Sequence, residues 1–124
     1  MSIKEIKLNK PLLVNGKEIK VLTYDIDELS IEDITKAEAL KTRLGGTVST
    51  NMVHTDFPLH VCIGIRAVMA INKDIAEEDL MRIKGYDVAQ LGVAGMGFFV
   101  PTAKSQENNS EAPQEDIQDN TTAQ

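Results

Sequence analysis

Tryptophan is absent from this chain, and tyrosine and phenylalanine together supply only five aromatic rings. Any core must therefore be built from Ile, Leu, Val and Met. A single cysteine, Cys62, excludes an internal disulfide and reads as a buried thiol in a reducing compartment. Basic residues are in deficit, with thirteen Lys and Arg against nineteen Asp and Glu, a formal charge of −6 and an isoelectric point near 4.8. Phosphate recognition needs clustered Lys or Arg, so this balance argues against a nucleic-acid partner. No apolar run reaches the roughly 20 residues of a membrane span. Residues 61–71 are interrupted by Arg66, and residues 88–100 contain Gln90 and three glycines before Pro101. The first fifteen residues carry Lys4, Glu5, Lys7 and Lys10 without a continuous apolar stretch, so no secretory signal is expected. The reading is a soluble chain of 124 residues and 13.6 kDa, enough for one small domain.

Composition changes abruptly at Pro101. Residues 101–124 hold five acidic residues, one basic residue (Lys104) and one large apolar residue (Ile117), and carry −4 of the total charge. Such a segment cannot bury enough apolar surface to offset its ordering entropy, so a disordered acidic tail is predicted. Its Asn-x-Ser/Thr matches at Asn108 and Asn120 mean nothing without secretion. Residues 1–100 form the predicted single folded domain.

That domain reads as α+β: an N-terminal β-hairpin over about 5–24, then a small bundle of about four helices over about 30–97. Ile6 and Leu8 alternate with Lys7 and Asn9, and Pro11 marks an irregularity or an edge position. Asn15-Gly16 favours a type I′ turn, whose two central residues need φ > 0. Beyond it, Ile19, Val21 and Thr23 are expected on one face and Glu18 and Lys20 on the other, with Leu22 breaking the alternation. Ser30 is a good N-cap, Leu29 and Ile34 make a hydrophobic staple, and Ile31, Ile34, Ala37 and Leu40 form an apolar stripe ended by Gly45-Gly46. The next helix, from about Pro58 to Ile71, is apolar on nearly every side, as expected of a central helix or one completed by a partner. Asp74 with Glu77, and Asp87 with Gln90, predict capping boxes for two further helices, the first ending near Ile83 and the second near Gly97, with Tyr86 and Leu91 as a second staple.

Little in the chain supports catalysis. His54, Asp56, His60 and Cys62 are the only cluster with metal-ligand chemistry, but His60 and Cys62 on one helix point about 200° apart and cannot share an ion. A core cysteine with surface or capping histidines is the simpler expectation. No Gly-x-Ser-x-Gly elbow is present. The carboxylate runs Asp25/Asp27 and Glu77/Glu78/Asp79 sit at helix starts, where capping explains them. Gly92-x-x-Gly95-x-Gly97 is not a dinucleotide loop, since its spacing is reversed and no strand precedes it, and small residues on a helix more often admit a second helix. Met96, Phe98, Phe99 and Val100 make a dense apolar knot, which either closes the core or, with Leu91, presents a docking surface. Neither a catalytic site nor a cofactor is expected.

The order of these motifs carries a resemblance. Leu8-Asn9-Lys10-Pro11-Leu12, then Asn15-Gly16-Lys17-Glu18-Ile19 and Leu22-Thr23, resemble the opening hairpin of the tail assembly chaperones of Mu-like and related long-tailed phages. The apolar helix over 59–71, Asp79-Leu80, Tyr86-Asp87 and the closing Phe98-Phe99 are similar to that family's second half. The likeness spans about residues 5–100 and departs at Tyr24-Asp25-Ile26-Asp27, where the family commonly has a basic residue and a proline.

The resemblance implies a non-enzymatic protein of the host bacterial cytoplasm, absent from the finished virion. Its partner would be the long helical tape measure protein, with the tail tube protein and a frameshifted longer form of the chain as further partners. Docking would be helix-in-groove, through the apolar helix or through Leu91, Met96, Phe98, Phe99 and Val100. The competing reading is an acidic interaction module or inhibitor unrelated to tails.

Overall fold

The computed structural model describes residues 3–100, so the predicted acidic tail, 101–124, lies outside the described residues. The architecture is α+β, an N-terminal antiparallel hairpin followed by four helices. Strands β1 (Lys4–Val14) and β2 (Lys17–Tyr24) are joined at Asn15 (φ 52°) and Gly16 (φ 80°), the two left-handed residues that a type I′ turn requires. The pairing sets Ile6 opposite Leu22 and Lys7 opposite Val21, then resumes with Leu12 opposite Ile19. Between these pairs β1 advances five residues and β2 only two, so a wide bulge around Pro11 absorbs the excess.

The bulge corrects the expected face of β2. It changes the side-chain parity, so that Leu22 is buried with Ile6 while Val21 faces solvent with Lys7. Ile19 is half-buried beside Leu12.

Helix α1 (Ile31–Arg43) begins with the expected cap at Ser30, whose Oγ accepts the Asp33 N–H at 3.1 Å while Asp33 accepts the Ser30 N–H at 3.0 Å. It ends at Gly45 (φ 96°) in a Schellman motif, with the Gly46 N–H on the Lys41 carbonyl and the Gly45 N–H on that of Thr42, each at 3.0 Å. Ala37 and Leu40 are buried and Ile34 is half-buried, but Ile31 is 87% exposed and does not belong to the stripe. Nine residues before Leu40, at 3.6 residues per turn, it lies on the opposite side of the helix.

Helix α2 (Phe57–Ile71) is the central element and packs against α1, β2 and the two later helices. Helix α3 (Glu77–Leu80) is a single turn. Its N-cap is Ala76 rather than Asp74, and the Asp79 carboxylate takes the Ala76 N–H at 2.9 Å. Helix α4 (Tyr86–Met96) starts from Gly85 at φ 70° and runs into a 3₁₀ turn over Gly97–Phe99. Tyr86 is exposed and Leu91 buried, so the second staple does not form.

Two devices hold the layers together. The first is close approach of α2 and α4. A Cβ on Gly95 would overlap the His60 carbonyl oxygen and lie 2.7 Å from the Gly64 nitrogen; one on Gly64 would overlap the Leu91 carbonyl. The second is Asp87, which was expected to cap α4 and instead lies inside it, buried against the hairpin. Its carboxylate accepts the N–H groups of Asn9 (2.9 Å) and Lys10 (3.0 Å) in the bulge, and the Gln90 side-chain amide at 2.9 Å. A bulge leaves backbone donors without strand partners, and a buried donor left unpaired costs about 1–3 kcal/mol. Asp87 satisfies two at once. Burial pushes its pKa up, but these three hydrogen bonds outweigh burial and hold it below the ordinary carboxylate value.

Gly95→Ala should lower unfolding free energy by about 3 kcal/mol, because backbone cannot move aside for the added methyl as a side chain can. Gly97→Ala is the control, since its Cβ would meet Ile26 only at 3.9 Å; urea denaturation of both variants tests the pair.

Asp87→Asn should cost about 2 kcal/mol at neutral pH, since its amide would aim a donor at a backbone donor. A carboxylate with a lowered folded pKa stabilises the fold above its unfolded pKa of about 3.9, and that stability is lost as pH falls through the folded value. Acid titration of stability should thus be shallower in Asp87→Asn than in the parent.

Candidate docking groove along helix α2

Helix α2 is fixed at its first turn by Asp56, whose Oδ1 accepts the Leu59 N–H at 3.1 Å. The other oxygen of Asp56 bonds Lys41 of α1, whose ammonium also donates to the Thr47 carbonyl. Lys41 therefore ties together the end of α1, the connector and the start of α2. Burial raises the Asp56 pKa, and the Lys41 and Leu59 hydrogen bonds outweigh it, leaving a net lowering. Further along, Arg66 reaches back to Asp33 of α1 at 2.7 Å, which explains the one charge in the otherwise apolar stretch. Arg43 pairs with Glu77 at 2.8 Å and links α1 to α3.

An apolar groove of about 500 Å³ lies beside α2, lined by the end of α1, the residues around α3 and the start of α4. Cys62, Ile65, Leu80 and Leu91 form its floor, all of them buried. Its rim carries Leu44 (60% exposed), Phe57 (39%) and Met81 (42%). Three large apolar side chains partly exposed around one concavity make it the candidate docking surface of this fold.

The sequence-predicted docking residues separate. Leu91 belongs to the groove floor and offers no surface, Phe98 and Phe99 are half-buried, and Met96 and Val100 are exposed. Phe99 lies edge-on to Phe98 and to His54, with centroids at 5.3 and 5.2 Å, and 5.4 Å from the ring of His60. The knot thus packs on the start of α2 rather than standing clear of it. His60, expected at the surface or in a cap, is buried, with Nε2 2.7 Å from the Val53 carbonyl oxygen. Asp25 caps the short turn Ile26–Glu28 through the Asp27 N–H at 2.9 Å, as its position before a helix start implied.

Leu44 and Met81 were missed because each lies in a segment whose own pattern gives no reason to expose it. Leu44 had one available signal: it falls four residues after Leu40, in phase with the buried stripe of α1. Among the described residues no helix is long and apolar enough to cross a membrane.

Cys62 is 2% exposed, and burial, reinforced by Glu77, pushes its thiol up to about 11. Labelling by a thiol reagent at pH 7 should therefore be slow in the native protein and fast in denaturant. Rapid native labelling would show that the groove opens to its floor.

Searches of protein-family models, curated proteins and solved structures found no match to this chain.

Proposed function

We propose that this chain is a phage tail assembly chaperone that binds the tape measure protein and keeps it in solution until the tail tube grows around it. The observation that carries the reading is the apolar groove on α2, rimmed by Leu44, Phe57 and Met81. The resemblance in motif order across about residues 5–100 supplies the partner. A long helical protein with apolar faces aggregates alone, and a groove of this kind receives such a face, anchored by large side chains at i, i+3 or i+4, and i+7. The net charge of −6 keeps the complex hydrated while apolar surface is masked. Met96 and Val100, both exposed, extend the contact beyond the groove. On this reading the protein acts in the bacterial cytoplasm, without catalysis or cofactor, and is absent from the finished virion.

The proposal requires a tape measure gene beside that of this chain, and co-expression with its product is the test. The wild-type chain should retain the tape measure in the soluble fraction. Met81→Glu and Leu44→Glu place a charge on the rim and should weaken binding by about 2 kcal/mol, the scale of losing one interface anchor, with an unchanged melting temperature. A wild-type chain that leaves its tape measure insoluble would overturn the assignment. Rim variants that bind normally would move the docking surface away from the groove.

A further inference from the structure

A two-stranded sheet has two open edges, and this fold treats them differently. Along β1, the Lys7 carbonyl accepts the Gln90 amide at 2.9 Å, the Asn9 and Lys10 N–H groups go to Asp87, and the Leu13 carbonyl accepts from Arg82. Side chains of α4 and the α3 region thus cover that strand along most of its length. On β2 the coverage is confined to its end: Asn72 Nδ2 donates to the Thr23 carbonyl at 2.8 Å, and the Asp25 N–H reaches the Ala67 carbonyl at 3.4 Å. Among the described residues, no group outside the hairpin bonds the backbone of residues 17–22. The side chains of Lys17, Glu18, Lys20 and Val21 are exposed there. An open edge is a template for another strand, and the charges along it select which strand can pair.

We infer that β2 is the contact edge of a symmetric homodimer, in which the β2 strands of two copies pair antiparallel about Ile19 to make one four-stranded sheet. The charges select this occupant and this register. With the two-fold axis at Ile19, Glu18 of each copy lies directly opposite Lys20 of the other. Glu18 and Lys20 of one chain already share a face, 3.9 Å apart, so the dimer would set four charges of alternating sign in a square. Centring the axis on Glu18 or Lys20 would oppose like charges across it, which is destabilising. The Glu18–Lys20 pairing makes the strand self-complementary about Ile19, as an isologous contact demands.

Sedimentation equilibrium of the full chain, from about 10 μM to about 1 mM, tests this without any tape measure present, so its outcome is independent of the proposed function. The chain should pass from monomer to dimer. Lys20→Glu, at a side chain 72% exposed, should raise the dissociation constant by about tenfold or more, through two like-charge pairs. Glu18→Lys combined with Lys20→Glu should restore dimerisation. Hydrogen exchange gives a second measurement on the unmodified protein: amides within residues 17–22 should exchange more slowly at the higher concentration. A chain that stays monomeric, a dimer indifferent to Lys20→Glu, a double variant that stays monomeric, or exchange in β2 that is independent of concentration would each overturn the inference.

Discussion

Backbone-to-backbone contact between α2 and α4 is the constraint on which the rest of the structure depends. At Gly64 and Gly95 the two helices approach so closely that neither position has room for a single methyl group. Helices separated by ordinary side chains lie about 8–10 Å apart. Glycine lowers helix propensity by about 1 kcal/mol relative to alanine, so these positions cost local stability and return it as close tertiary contact. Gly92 contributes differently, giving the Phe57 ring a flat bed at the mouth of the groove. The small residues of α4 are thus the means by which an aromatic-poor chain packs a dense centre.

With α4 fixed on α2, three buried or half-buried carboxylates attach the remaining pieces. Asp87 holds the bulge of β1, Asp33 joins α1 to Arg66 of α2, and Asp56 joins α2 to Lys41 of α1. In each, burial disfavours the charge and hydrogen bonds to N–H donors outweigh burial. The acidic character of the chain therefore has an internal part as well as a surface part. Beside the groove, Lys41–Asp56 joins α1 to α2 and Arg43–Glu77 joins α1 to α3.

Local signals were legible wherever the chemistry was local. Asn15-Gly16 specified its turn because φ > 0 at two successive residues admits few side chains. Ser30 specified the start of α1, and Gly45-Gly46 its end, because caps are closed by residues within one turn of each other. The all-apolar helix was readable as central from its composition. Asp87 was misread because a capping box and a buried clamp use the same residue types at the same spacing. The difference lies in whether the carboxylate finds its own helix or a bulge some 77 residues earlier in sequence.

The sequence by itself determined the α+β order of elements, the hairpin turn and the bounds of α1 and α2, all of which rest on interactions spanning a few residues. Tertiary structure alone decided which face of β2 is buried, since a bulge of unpredictable width resets the parity of every later side chain. It alone decided that Leu22 is core. The groove belongs to the same class. Leu44, Phe57 and Met81 come from three segments, and nothing within any of them records that the others will stand across an open space. A site assembled from separate elements is fixed by how those elements pack, and here that packing is set by two glycines that let α2 and α4 touch.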